Sequence, residues 1–561
     1  MKIIRTLMGR RQFMTGAFGA SMLGLISKMT GMSVRSAMGF SNAGEKKVPN
    51  DKYKKTIKTD VVVLGCGASG MTAAIRARQQ GVENVLILEK RSEVGGNSVF
   101  APVPIIDDAK ISKDVYAWEK QVYNSMMEKS HWRASPDIVG TMVVISQEIT
   151  GWLKEFAGNI RGGERNGTLT KIMKDQCNKL GIQIMCNTRA RKLIKDGKGK
   201  SIIGVLAEQK GEMIRVDAKA TVIATGGFLG DPELMEKYFP YYNKRFFDEV
   251  NIEGNIYSGD GMKMAVEAGA FNDGTVTFVW GPNKLPFFKG DLNKFPTISF
   301  LTDNTRTPES LWVNKVPIRY TNEAKLNAVN GIYRQPHKES FIILDAGIVE
   351  HVSKKHPDIV SVEKLEKEIK PLIEADQALI TDSIFAIADW IGGGGPALRV
   401  DINTYNACCD KGYDDYFFKD SAFLVPFRKP PFYVFRSGLS LRHTQGAIRV
   451  NPRLAVIYEL GNPFGGLMAC GADIGQLYGD LFISSEESHS IEWAIASGIA
   501  AGECAAMESL GFGPSSHDEV PKYTAKEIMS RNYENVDTET PDPDRTPLAI
   551  PIKLPSRKSY H

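Results

Sequence analysis

Hydrophobic and polar positions divide the chain into stretches of different character. Residues 60–64 (DVVVL) form a β-branched run that predicts a buried parallel strand. Residues 71–80 have helical composition, and NVLILE, ending at Glu89, predicts a second strand. A further strand is predicted within DAKATVIATGGFLGD (217–231), running into Gly226 and Gly227. Between 240 and 400 this regularity gives way to aromatic, less ordered text such as FPYYNKRFFDEV and LPFFKGDLNKFPTISF. Near 430 a β-rich character returns, and SIEWAIASGIAAGECAAMESL predicts an amphipathic closing helix. From Gly511 the text turns polar and Pro-rich, as an extended surface chain does. No internal repeat is visible.

The N-terminal stretch changes how charge is interpreted. Residues 1–43 hold six basic side chains (Lys2, Arg5, Arg10, Arg11, Lys28, Arg35) and no acidic one. A weakly apolar run, 14–25, follows the arginine pair, and SNA at 41–43 offers a small-residue cleavage point. This is the layout of a targeting segment, too short and interrupted for a membrane span. The arginine pair followed by Phe13 resembles a twin-arginine (Tat) signal, an address for export of folded proteins to the periplasm or another extracytoplasmic space. Taking six charges from the formal +5 of the whole chain leaves about −1. The basicity therefore belongs to the targeting segment and gives no reason to expect a nucleic-acid partner. No later stretch is long and apolar enough to predict an integral membrane span.

Seven cysteines are scattered without C-x-x-C spacing, so zinc, iron–sulfur and c-type haem ligation are not expected, and no metal site is predicted. Free, buried thiols are the expectation.

The chemistry starts at Gly65, Gly67 and Gly70, a G-x-G-x-x-G turn between predicted strand and helix. Such glycines permit a tight turn and a close approach of pyrophosphate to the helix N-terminus, where Ala68 and Ser69 lie. Glu89, nineteen residues beyond Gly70, stands where a carboxylate takes ribose hydroxyls. Strand, turn, helix, strand and acid in this order predict a dinucleotide site. The motif alone leaves NAD and FAD open.

The text after the acid, EKRSEVGGNS, with Lys90, Gly95, Gly96, Asn97 and Ser98, resembles FAD proteins, as does the Ala224-Thr225-Gly226 turn. The ordered series GCGASG, EKRSEVGGNS, ATGGF, GDGMKMAVEAGA, VNKVPIRYTNEA, YNACCDKGYDDYF, HTQGAIRV and GGLMACGADIG resembles the fumarate reductase/succinate dehydrogenase flavoprotein superfamily over roughly residues 58–510. The similarity is to its soluble branch of fumarate reductases, urocanate reductases and ketosteroid dehydrogenases. It implies an α/β fold in which a two-part Rossmann-like FAD domain (58–240 and 396–512) is interrupted by an α+β capping domain (241–395), with a tail over 513–561. It also implies FAD contacts at Asp260, Asn322, Glu323, Gly471 and Ala472. Noncovalent FAD is expected, because NSVFAPVP offers no histidine for a flavin bond.

The resemblance breaks down at the catalytic positions. His443, in RHTQGA, matches the family's substrate histidine. The slots of the other histidine and of two arginines hold Gly281, Asn327 and Ser485, and Glu486 and Glu487 stand beside the last. Asn and Ser cannot replace the bidentate arginine grip on a dicarboxylate, so fumarate is not the expected substrate. Asp303 and Arg306 match the family's proton-relay segment. Its missing terminal donor leaves Tyr320, Lys325, Tyr333, Arg334 and Tyr478 as candidates. The expected activity is reduction of an activated C=C bond, an α,β-unsaturated carbonyl or carboxylate compound, by hydride from the flavin. Electrons would come from a separate cytochrome or quinol-linked carrier. A ketosteroid-type dehydrogenase and a noncatalytic flavin electron-transfer protein are the alternatives.

Overall fold

The structure, a computed structural model, describes residues 53–511 apart from 102, 105–114, 159–166, 240–256, 273, 281–293, 304, 326–327, 329–330, 333, 439–440, 459–460 and 480–489. The targeting segment, the tail, Tyr333, Gly281, Asn327, Ser485, Glu486 and Glu487 lie outside the described residues.

The β-branched run is strand β1 (Thr56–Leu64), with Val61–Leu64 fully buried. A parallel sheet grows on both sides of it. β2 (Val85–Leu88) pairs with it from Val61↔Val85 to Leu64↔Leu88, and β3 (Gln183–Met185) lies beyond. Strands β4 (Thr188–Lys195) and β5 (Ile202–Gln209) form an antiparallel pair that leads into β6 (Glu212–Ile223). β6 runs parallel to β1, with Val61↔Ala220 and Leu64↔Ile223 in register. Helix α1 (Ala68–Gln79) makes the crossover between β1 and β2, and α2 (Asp260–Ala268) packs its Met262, Met264 and Ala265 into the same core.

A short strand, β7 (Thr277–Trp280), leads to a second core. There β8 (Leu311–Asn314), β9 (Glu339–Asp345), β10 (Ala378–Thr381) and β11 (Phe432–Gly438) make an antiparallel sheet in the order β10-β11-β9-β8. Helix α3 (Gly395–Lys411) buries Leu398, Ile402 and Tyr405 against it.

The chain then returns to the first core. β12 (Leu441–Gln445) pairs with β7, β13 (Ala455–Ile457) pairs with β14 (Pro463–Ala469), and β14 lies parallel to β6, with Leu467↔Thr221. Helix α4 (Ser490–Ser509) closes the unit against α1, where Arg76 Nε donates to Glu503 at 2.7 Å. The two-part α/β domain is therefore as the sequence implies.

Its borders differ from the expected 240 and 396. α2 belongs to the first core, while α3 and β11 belong to the second, whose buried side chains run from Ile298 to Phe435. Apolar spacing tells that α3 has a buried face, and nothing in it says which core that face meets.

At the centre of the second unit is a buried charge cluster. Arg319 donates to both oxygens of Glu323 at 2.8 and 2.9 Å and to Asp414 at 2.7 Å. Its guanidinium also lies 5.1 Å from the Tyr405 ring centroid and 4.9 Å from that of Phe417. Lys419 Nζ lies 3.4 Å from Glu323 and donates to the Ser310 carbonyl at 2.9 Å.

All seven cysteines are free thiols, and burial pushes Cys66, Cys177, Cys470 and Cys504 up, away from thiolate chemistry. Among the described residues no helix is long and apolar enough to cross a membrane, and no cluster of three or more His, Cys, Asp or Glu could hold a metal.

Candidate active site

The C-terminal ends of β1, β2 and β6 open into one cleft. Gly65 follows β1 at φ +106°, where a Cβ would collide with the Ala224 carbonyl oxygen, so the turn can press against the end of β6 only as glycine. Gly67 caps α1 and bridges to Gly95 of the second glycine turn. The two turns are tied again by Ser98, whose Oγ accepts from Ala68 N at 3.0 Å.

Glu89, 6% exposed, accepts from Cys66 N and Arg91 N, both at 2.9 Å. Two amides aim the carboxylate, and its remaining lone pairs are available to a ligand diol in the cleft it lines.

A second acid, Asp260, opens α2. Arg189 grips it with two bonds, Nε at 2.9 Å and Nη2 at 2.6 Å, and Lys90 Nζ lies 3.5 Å away while donating to Ser258 at 2.7 Å. Burial alone would raise the Asp260 carboxyl; the Arg189 hydrogen bonds and the Lys90 charge outweigh it and hold it below the usual range.

Asp473 is fully buried behind the Gly226 turn. It accepts from Thr225 Oγ1 at 2.8 Å and Gly226 N at 2.9 Å, and burial pushes its carboxyl up to about 7 against those bonds.

The next residue, Gly227, sits so close to β12 that a Cβ would strike the Thr444 carbonyl oxygen. Thr444 Oγ1 in turn accepts from Phe228 N at 2.7 Å. This close seam carries His443 to the cleft, where it lies between Asn97 and Gln445.

Of the residues expected at a cofactor, Gly65, Gly67, Ala68, Ser69, Glu89, Lys90, Gly96, Asn97, Ser98, Ala224, Thr225, Gly226, Asp260 and Ala472 line the cleft. Gly70, Gly95 and Gly471 shape the turns behind it. Asn322 and Glu323 do not line it. Asn322 Nδ2 donates to the carbonyls of Phe417 and Phe418, and Glu323 is locked in the Arg319 cluster. Their sequence signature marks a loop of the second unit, where hydrogen bonding to the 417–418 backbone holds Asn322 and buried ion pairing holds Glu323.

Of the expected catalytic residues, His443 is in the cleft. Asp303 and Arg306 pair at 3.6 Å in the second unit, where Lys325 and Arg334 also stand outside the cleft lining. Tyr320 donates to Ser340 at 2.8 Å, and burial pushes its hydroxyl pKa up. Sequence reasoning missed Thr188, Arg189, Gln445 and Asp473. Gln445 alone had a local signal, its place two residues after His443 on a strand.

The cleft suits an adenine dinucleotide. Gly67, Gly96 and Gly226 present no side chain to it, and Glu89 is aimed for a ribose.

A family model described as an FAD binding domain matches residues 163–482, and another described as an FAD dependent oxidoreductase matches 60–230. A vinyl phenol reductase of Lactiplantibacillus plantarum is 28% identical over 488 residues, covering 80% of this chain and 96% of that protein. A urocanate reductase of Eggerthella lenta is 25% identical over 469 residues, covering 78% and 73%. In fold, the chain is similar to the open conformation of a flavocytochrome c3 fumarate reductase, with TM-score 0.59, 20% identity and 84% of each chain covered.

Proposed function

The chain belongs to the FAD binding domain family, and on that premise we propose that it is an FAD-dependent oxidoreductase reducing an activated C=C bond in a substrate without the two carboxylates of fumarate. The carrying observation is the setting of His443. Two arginines are what a dicarboxylate calls for. Among the described cleft residues Lys90 and Arg189 are engaged with Asp260, Arg91 follows Glu89, and His443 is flanked by the neutral amides of Asn97 and Gln445. The vinyl phenol and urocanate reductases among the relatives support the reductive direction.

When bound, FAD supplies a hydride to one carbon of the C=C bond, and the other carbon needs a proton. His443 binds and polarises the activating group. On the sequence resemblance alone we assign the proton to Lys325, Tyr333 or Arg334, with Asp303 and Arg306 as the matching relay pair; the described ones among them do not line the cleft of His443.

Anaerobic reoxidation tests the reading. Flavin reduced with one equivalent of dithionite is expected to reoxidise with at least one of a panel of 4-hydroxystyrene, urocanate and an enone steroid, and to ignore fumarate. Reoxidation by fumarate at enzymatic rates would overturn the substrate reading. Reduction of the oxidised flavin by a saturated ketosteroid, with no alkene reoxidising it, would make the enzyme a dehydrogenase. Silence toward every compound would make it a noncatalytic flavoprotein.

The N-terminal arginine pair supports export of the folded, FAD-loaded protein and electron supply by a separate carrier outside the cytoplasm. An Arg10→Lys/Arg11→Lys double variant is expected to accumulate in the cytoplasm on cell fractionation; unchanged export would end this part of the proposal.

A further inference from the structure

His443 and Gln445 stand two residues apart on β12, so the alternation of a strand puts both side chains on one face. Pairing with β7 fixes them opposite Val279 and Thr277. The imidazole lies between two carboxamides: Asn97 Nδ2 is 3.4 Å from Nδ1, and Gln445 Nε2 is 3.4 Å from Nε2. Both ring contacts are made by amide nitrogens, which only donate, and a neutral imidazole has one lone pair to receive one of them, so Gln445 Oε1 takes no part in either. Gln445 is 1% exposed, lines the cleft, and its Oε1 has no hydrogen-bond partner. A buried carbonyl left unpaired is costly, and a donor brought by a ligand removes that cost.

The identity of the missing partner follows from charge. A carboxylate offers only acceptors, so its oxygens would face Oε1 with like partial charge. An un-ionised hydroxyl donates to Oε1 and can accept in turn from the neighbouring imidazole or amide N–H. We propose that Gln445 is a specificity-determining residue, its carboxamide oxygen accepting a hydrogen bond from a neutral hydroxyl on the substrate. The cleft thereby selects hydroxyl-bearing alkenes over carboxylates. The word substrate rests on the reductase reading; the binding preference does not.

The test uses the oxidised holoenzyme and ligands that are already saturated, so turnover plays no part. 4-Ethylphenol, ethylbenzene and 4-ethylbenzoate are titrated in, and the flavin absorbance change is followed. Wild type is expected to bind 4-ethylphenol about tenfold tighter than ethylbenzene, the worth of one buried hydrogen bond, and to bind the benzoate more weakly still. Gln445→Leu should bring phenol and ethylbenzene within about threefold, by weakening the phenol alone. Gln445→Glu, which keeps an acceptor there, should preserve the phenol preference.

A leucine variant that keeps the full preference would overturn the proposal, as would wild type binding phenol and ethylbenzene equally. It would also fall if Gln445→Leu shifted the ligand-free flavin spectrum and midpoint potential without touching ligand preference, since Gln445 would then serve the cofactor. Failure of the reductase reading looks different: the phenol preference persists while no alkene reoxidises the reduced flavin.

Discussion

Glu89→Ala is expected to yield a folded protein that purifies largely without flavin and binds added FAD about 10² to 10³-fold more weakly. Hydrogen bonds to a carboxylate contribute about 1.5–3 kcal/mol each, and a ribose diol offers two. A local effect adds to this. Glu89 is the acceptor for the amides of Cys66 and Arg91, and Cys66 lies inside the first glycine turn. Removing the carboxylate thus frees the turn meant for the pyrophosphate as well as the ribose contact. Quenching of FAD fluorescence on titration into the apoprotein measures the loss. Glu89→Gln, which keeps one acceptor oxygen, should fall between. An alanine variant with wild-type affinity would mean that Glu89 does not face the cofactor.

The second large effect is on stability. Arg319→Met is expected to cost about 3–5 kcal/mol, because it leaves Asp414 buried without the guanidinium it accepts from and Glu323 buried without two of its hydrogen bonds, with Lys419 still 3.4 Å from Glu323. Methionine fills much of the space between the Tyr405 and Phe417 rings, so the loss reports charge more than cavity. Its pH dependence follows from Glu323. Burial alone would raise that carboxyl, but the Lys419 charge and the Arg319 bonds hold it below its ordinary 4.5. A lowered folded pKa contributes stability that is present above about pH 4.5 and lost as pH falls through the folded value. The gap between wild type and Arg319→Met in urea unfolding should therefore be widest near neutrality and narrow below pH 4.5. A gap under about 1 kcal/mol at pH 7, or one that widens in acid, would show that the cluster is not what holds the second unit.

What the sequence made legible was local. Gly65 is forced by a positive φ, Glu89 by its distance from the turn, and His443 by the short text around it. Each needs only a few neighbouring residues to be recognised. The contacts that escaped join distant segments: Arg189 to Asp260 across 71 positions, Thr225 to Asp473 across 248. An arginine on a strand and an aspartate in a loop look alike whether they meet solvent or one another. Burial decides between those cases, and it is a property of the assembled sheet. The same limit misplaced the borders, since α3 shows an apolar face without showing its partner. Arg319, Asn322 and Glu323 share one short stretch, while Asp414 and Lys419, which complete the cluster around Glu323, come from another.

β14 runs beside β6, and α4 lies on α1 with Arg76 and Glu503 joined across 427 positions. During synthesis the first glycine turn emerges early. The helix that packs against its own helix leaves the ribosome only after more than four hundred further residues. Until then the cleft lacks Ala472, Ser490, Ile491 and Ala494 from its wall. Closing so long a loop is slow, so a nascent chain holds an incomplete nucleotide site for most of its birth. A chain cut short before β14 is therefore expected to hold flavin more weakly than the full-length one.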